Sequence, residues 1–394
     1  MTDSILKVPK FIKKYTIIIF NVLKFIPTYL RVNLKAIFSK KKKIIIFLNH
    51  PAQYQNLYSI PELLAKDFFI LIFCHNMETY NNIPELPNIK KIQYEHLYVL
   101  KLFRCQLFMT PVFGLKNFLP NTPKVNFLHS LAGVEGIYKE NAFDNFDYIF
   151  CPSPYLVEDF KKLFSKRKVG KKVLISGGYP KLDMQLARAQ KEKITRGNKK
   201  TVIYAPTFVF EHNKGLSTLE EYGEKIIDYF IDENYQVIFR PHPFALKTKN
   251  KFIVQPIIDK FKDHPSFELD QSKDYFDTYN RADFLVTDLS GTGFSFAFIF
   301  EKPVLFFSMG KKALANLTGF HFEKREEIGF VVEDMAGLKI KSKEIYNTYD
   351  TLAAKIANLK EENIFNLGKS AQYFQENIHH IIKEEKHKDW VSIN

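Results

Sequence analysis

Three short constellations in this chain combine residue types suited to moving a phosphate-linked group. Arg240-Pro241-His242-Pro243 sets a guanidinium and an imidazole among two prolines. Each proline fixes its own φ and restricts its predecessor, so the segment is held extended or turned and the His242 ring gains a defined direction. The planar fork of Arg240 can grip two phosphate oxygens at once. Asp288-Leu289-Ser290-Gly291-Thr292-Gly293 brings small residues and two hydroxyls to the start of a helix expected from Phe294. There Ser290, Gly291, Thr292 and Gly293 would let a ligand approach the backbone, where the first N–H groups of a helix and its dipole favour an anion. The pattern is neither a Walker loop nor a GxGxxG fingerprint. His129-Ser130-Leu131-Ala132-Gly133 supplies a second histidine from the other half of the chain. Its neutral titration range suits a general base for a hydroxyl nucleophile. Two weaker markers are Gly178–Asp183 and Tyr204–Phe208, in which Thr207 can bond a ligand phosphate. The structural alternatives are a rigid turn with an incidental histidine, a capped helix start, and ordinary turns. His50, His264 and His321 have no evident chemical partner in the sequence and read as structural or exposed.

These groups need elements to place them at one cleft. From Lys43 onward short apolar runs alternate with helical patterns, the signature of parallel sheets with helices on both faces. Strands are expected over 44–48, 68–73, 124–128, 148–150 and 173–176, with a helix over 154–164 and a kinked or restarted helix at Pro61. The stretch 187–200 is polar and charged except for Ile194 and reads as a linker or exposed helix. A second set follows, with strands over 201–205, 236–239, 284–287 and 304–307 and helices over 220–231, 294–300, 345–359 and 370–383. The expected architecture is α/β, with two Rossmann-like domains facing a cleft: an acceptor domain over 43–186 and a nucleotide-donor domain with terminal helices over 200–383. In such sheets ligands sit beyond the carboxyl ends of the strands, which is where all three constellations fall.

Charge and cysteine content narrow the function further. The 394 residues carry a net charge of +14, of which residues 1–43 hold +10, with ten lysines and Arg31 against Asp3. The body is nearly balanced, which disfavours a nucleic-acid binder. Residues 1–42 mix apolar runs with lysines, and Lys24 and Pro27 interrupt them before the roughly 20 residues a spanning helix needs. More lysine follows where a signal peptide would show a cleavage site. A basic amphipathic helix lying on an anionic membrane surface is the expectation, with an ordinary helix packed on the body as the alternative. Cys74, Cys105 and Cys151 are scattered and form no CxxC pair, which fits a reducing compartment and no zinc or disulfide framework.

The sequence resembles the CDP-glycerol glycerophosphotransferases of teichoic-acid and capsule synthesis. The family carries YAPTW, R-x-H-P, TDYSS before a helix, and a KP-hydrophobic-FF strand, after an earlier G-x-P-R-x-D. Here these are Tyr204–Phe208, Arg240–Pro243, Thr287–Ser290, Lys302–Phe307 and Gly178–Asp183, with Lys181 at the family's arginine. The resemblance implies a GT-B fold and a peripheral enzyme at the cytoplasmic face of the membrane that uses no metal or other cofactor. It implies transfer of glycerol- or ribitol-phosphate from a CDP-alditol to a hydroxyl of a saccharide or lipid-linked acceptor, releasing CMP. Arg240 and His242 would hold the donor pyrophosphate, assisted by Thr207, Asp288, Ser290 and the Gly291–Gly293 segment. His129 would match the histidine of the family's W-H-G segment, and the proton would pass to His129 or His242. The rival readings are a GT-B glycosyltransferase that uses a nucleotide sugar, and a membrane-bound scaffold without catalysis.

Overall fold

The computed structural model describes residues 10–393 apart from 87, 117–118, 120, 129, 132, 135–137, 193–198, 210–214, 244, 247–250, 273 and 310–318. Fourteen strands are described: β1 Lys43–Leu48, β2 Phe69–Cys74, β3 Ile89–Gln93, β4 Leu107–Thr110, β5 Lys124–Phe127, β6 Tyr148–Cys151, β7 Lys172–Ser176, β8 Thr201–Tyr204, β9 Gln236–Phe239, β10 Phe267–Leu269, β11 Phe284–Thr287, β12 Val304–Phe307, β13 Gly329–Val332 and β14 Val391–Ile393. They form two sheets, ordered β14-β7-β6-β5-β4-β1-β2-β3 and β10-β9-β8-β11-β12-β13. Every pairing is parallel except that of β14 with β7. Counted from its own first strand, the second sheet runs 3-2-1-4-5-6, the doubly wound Rossmann order, and the first follows the same order and extends it by β7 and β14, so the strand sequence reverses between β1 and β4 and between β8 and β11.

The strands read as continuous apolar runs because both faces of each sheet are covered. Ile45, Phe47, Leu71 and Phe73 pack into one core, while their neighbours Ile44, Ile46, Ile70 and Ile72 pack into the core on the opposite face. The second sheet repeats this, with Val202, Tyr204 and Val237 on one side and Ile203 and Ile238 on the other. Pro61 does restart a helix: a 3-10 turn covers Pro51–Leu57, and Ile60–Leu64 begins anew with Pro61 in its first turn.

The last segment of the chain crosses back. Helix Ser370–Ile382 buries Ala371, Phe374, Ile378 and Ile381 against the first sheet together with Trp390, and β14 then pairs with β7. By its place in the sequence this helix belongs with the second half, but apolar periodicity says only that a helix packs and not against what. Asp183 anchors the crossing by accepting from the N–H groups of Gly368 (2.7 Å) and Ser370 (2.9 Å). Gly178 has φ +106°, and a Cβ there would meet the Ser370 hydroxyl at 2.3 Å, so the Gly178–Asp183 marker serves at least this packing role.

The N-terminal helix spans Lys10–Phe38 with Pro27 inside it. Phe25, Val32 and Ala36 dock onto the first core, whereas Ile19, Phe20, Leu23, Ile26, Leu30, Leu34 and Ile37 stay exposed. Their spacing of three or four residues makes one stripe along the helix. No helix among the described residues is long and apolar enough to cross a membrane.

Candidate active site

The carboxyl ends of β8, β9 and β11 meet at the reversal point of the second sheet. A cavity of about 170 Å³ opens there, with Pro206, Arg240, His242, Tyr279, Ser290 and Thr292 in its wall. Three motifs far apart in the sequence therefore share one pocket, because the topology sets their strands side by side.

Buried carboxylates hold this pocket in shape. Asp288 is fully buried. It accepts from the N–H of Thr207 (2.9 Å), of Leu289 (2.7 Å) and of Thr218 (2.8 Å), and from the Thr218 hydroxyl (3.0 Å). With its oxygens so occupied, Asp288 fixes the loops after β8 and β11 and has little left for a ligand. Thr207 Oγ1, by contrast, is shielded from water and has no hydrogen-bond partner among the described residues. A buried hydroxyl in that state costs free energy.

Arg240 is tied on one side. Its Nη1 pairs with Asp270 and lies 3.1 Å from Ser272 Oγ, and its Nη2 donates to the Ser272 carbonyl at 3.0 Å. Burial pushes the Asp270 carboxyl up, but the hydroxyls of Ser272 and Thr278, the Ser272 amide and Arg240 outweigh it and hold the group below the usual carboxylate range. Nothing in the sequence pattern had singled out Asp270, Ser272 or Tyr279. The His242 ring opens toward solvent, yet the surrounding protein mass, followed by the charge of Arg240, lowers its pKa from the ordinary 6.5. The imidazole is therefore neutral near pH 7 and able to accept a proton.

At the helix start, Ser290 and Thr292 stand in the pocket wall. Ser290 Oγ accepts from the Thr292 N–H at 3.2 Å, and the Thr292 and Tyr279 hydroxyls are bonded to each other. Gly293 has a packing reason as well: a Cβ there would stand 2.9 Å from the Phe306 ring and 3.3 Å from Val304.

His129 lies outside the described residues, so its distance to the pocket is not part of the geometry. The segment just after it is held at three points. Tyr155 Oη donates to the Leu131 carbonyl (2.8 Å), the Gly133 N–H donates to His321 Nδ1 (3.2 Å), and the Val134 N–H donates to Asp159 (3.3 Å). Tyr155 also stacks on Phe320 at 3.9 Å and 4°. Phe320 and His321 belong to the second half of the chain and Tyr155 to the first, so these contacts bridge the cleft.

His321, which the sequence left without a partner, is buried, and burial followed by the Arg325 charge lowers its pKa to about 4. Arg325 stands 3% exposed between the rings of Phe306 and Phe322, and its Nε donates to the His321 carbonyl (3.1 Å). Burial lowers its pKa to about 10 against the opposing pull of Asp288. Arg325 Nη2 is buried with no hydrogen-bond partner among the described residues. The sequence clue was faint: a histidine and an arginine four residues apart, after Gly319. Other bridges across the cleft are Lys181 over the Tyr275 ring at 5.3 Å and Arg188 paired with Asp274 and Asp277.

A larger cavity of about 440 Å³ lies elsewhere, among Thr122, Lys124, Asp147, Lys171 and Glu384. These residues mark the amino ends of β5–β7, the wrong edge for ligands in a doubly wound sheet.

Two Rossmann-like halves, with a polar pocket at the reversal point of the second, define a GT-B type protein. The sequence profile of the family CDP-Glycerol:Poly(glycerophosphate) glycerophosphotransferase matches residues 133–380, and the chain belongs to that family. Among curated relatives, the teichoic acid poly(glycerol phosphate) polymerase of Bacillus spizizenii is 26% identical over 202 residues, 47% of this chain and 48% of that one. The protein of the same name from Bacillus subtilis is 27% identical over 205 residues, 48% of this chain and 26% of that one. The match thus spans half or less of those longer proteins. Among solved structures, the wall teichoic acid polymerase TagF superposes with a TM-score of 0.59 at 18% identity, covering 96% of this chain and 99% of that one. The UDP-GlcNAc 2-epimerase of Neisseria meningitidis bound to UDP-GlcNAc gives 0.59 at 14% identity, covering 86% and 99%. At these identities the likeness is one of fold.

Proposed function

We propose that this chain transfers an alditol phosphate, glycerol- or ribitol-phosphate, from a CDP-alditol to a hydroxyl of a cell-surface polysaccharide or lipid-linked acceptor, releasing CMP. The observation that carries the reading is the convergence of the strand-end motifs of β8, β9 and β11 on one pocket, in a chain of the glycerophosphotransferase family. A TagF variant has been solved with CDPG, which is the donor chemistry assigned here.

In this reading the second half, from residue 200, takes the donor, and the half over 43–186 presents the acceptor. Thr207, Ser290, Thr292 and the N–H groups of Ser290 and Gly291 face the donor phosphates, with Arg240 as the neighbouring positive charge. The acceptor oxygen attacks the β-phosphorus, and the bond from that phosphorus to the bridging oxygen breaks, so CMP leaves with the electron pair. The acceptor proton passes to His129 or to His242. The protein supplies positioning and electrostatic stabilisation, which is most of what phosphoryl transfer requires.

The exposed stripe from Ile19 to Ile37 supports seating at the cytoplasmic face of a membrane. Lys24, Arg31 and Lys35 lie on the same helix, and Lys40 and Lys42 follow it exposed, where they would meet anionic lipid.

The test is CMP release from CDP-glycerol and CDP-ribitol by purified protein, with lipid-linked or oligosaccharide acceptors, beside His129→Ala and His242→Ala. Acceptor-dependent CMP release lost in both variants supports the proposal. Release of a nucleotide from a nucleotide sugar instead would replace it with a glycosyltransferase.

A further inference from the structure

The end of helix Ser370–Ile382 and the turn after it gather a second set of chemically capable side chains, apart from the donor pocket. His379, His380 and Glu385 each offer one ligand atom, and these atoms all lie within 4.8 Å of one another. His379 Nδ1 stands 3.0 Å from the Glu376 carbonyl oxygen. A carbonyl can only accept, so Nδ1 carries the hydrogen and Nε2 keeps its lone pair. Metal-binding histidines are commonly oriented in this way, with the second ring nitrogen donating to a carbonyl. His380 Nδ1 is shielded from water with no hydrogen-bond partner among the described residues, and it lies 3.7 Å from Glu385 Oε2. A buried polar atom left without a partner is costly, which makes that nitrogen a ready ligand.

The surroundings hold the group in place. The Glu385 N–H donates to the His380 carbonyl at 2.8 Å, bringing the carboxylate back over the helix end. His387 stacks on Trp390 at 4.6 Å and packs edge-on against His380 at 5.0 Å. Its Nδ1 accepts from the Asp389 N–H at 3.2 Å, so its own hydrogen sits on Nε2 and it forms a wall of the site without being a ligand.

We propose that His379, His380 and Glu385 bind a divalent transition-metal ion of the Zn²⁺ class, tying the last turn of this helix to the turn that leads into β14. Two imidazole nitrogens and one carboxylate suit Zn²⁺, Co²⁺ or Ni²⁺ better than Mg²⁺ or Ca²⁺, and they leave a fourth position for water. Lys383 Nζ lies 3.7 Å from Glu385 Oε1, with Lys386 and Lys388 nearby in sequence, so local positive charge keeps the affinity modest. The ion would secure the segment that seats β14 on β7 and would take no part in the transfer reaction.

The test uses the full chain without an affinity tag, stripped with a chelator. Zn²⁺ is titrated by calorimetry and Co²⁺ by visible absorption, with Mg²⁺ as control. The expected result is one equivalent of Zn²⁺, a tetrahedral Co²⁺ spectrum and a higher melting temperature with Zn²⁺ but not Mg²⁺. His380→Ala and Glu385→Gln should each weaken binding at least about tenfold. Glu385 is exposed, so its variant separates loss of the site from loss of the fold. No saturable binding overturns the proposal, and so does Zn²⁺ binding that both substitutions leave unchanged, since the ion would then sit elsewhere.

Discussion

At the carboxyl end of the second sheet the loops are held from within: Asp288 and Asp270, both buried, gather amides, hydroxyls and Arg240 of the same half. Beside the first sheet, segment 131–134 is held by Tyr155 and Asp159 of its own half and by His321 from the other. The difference teaches that the strand-end pocket is built within one half, whereas the segment after His129 draws one of its three holds from the other half.

The largest expected effects fall on the two histidines. His129→Ala and His242→Ala should each lower the rate of CMP release by about 10²–10⁴, the usual worth of a positioned acid–base group. The pH profile distinguishes them. The base must be unprotonated, and burial followed by the Arg240 charge lowers the His242 pKa. If His242 is the base, the acid limb lies below the ordinary imidazole range, and Arg240→Gln moves it upward.

Asp288→Ala would break the internally held side outright. It strands buried amides and a hydroxyl and should cost on the order of 3 kcal/mol of stability by thermal or denaturant unfolding. His321→Phe strands only the Gly133 N–H, so it should cost less stability at neutral pH, about 1–2 kcal/mol, and lower kcat more than donor affinity.

His321 also predicts a pH effect of definite sign. Its folded pKa of about 4 lies below the ordinary 6.5, so between those values the unfolded chain binds a proton that the folded chain refuses. Stability is then full above pH 6.5 and falls as the pH drops toward 4, by at most about 3 kcal/mol. His321→Phe should flatten that part of the unfolding curve. A slope equal to wild type would sink the buried-neutral assignment.

Smaller effects sharpen the comparison. Asp270→Asn loosens Arg240 and should raise the donor KM about tenfold, with less change in kcat. Leu30→Glu on the exposed stripe should reduce co-sedimentation with anionic vesicles several-fold, with CMP release from a soluble acceptor unchanged.

Much of the architecture was legible because its signals are local. A strand covered on both faces must be a continuous apolar run, so β1, β2, β8, β11 and β12 stood out. Polar or very short strands did not: β3 carries two lysines, and β10 and β14 have three residues each. That Arg240, His242, Ser290 and Thr292 would line one pocket was legible because their motifs follow strands at the end where a doubly wound sheet opens its crevice. That Asp288 would spend itself on Thr207 and Thr218 was not legible, since a motif gives a residue type and not its partners.

The sequence by itself determined two Rossmann-like units and set residues of types suited to phosphate at their strand ends. The tertiary structure decided what those groups face. It placed Ser370–Ile382 on the first sheet, turned one stripe of the N-terminal helix outward, and brought His321 against Gly133, 188 residues away. The physical reason is that periodicity and backbone preference act over a few residues. Contacts between distant loops depend on how two whole sheets pack, and no short window of sequence contains that.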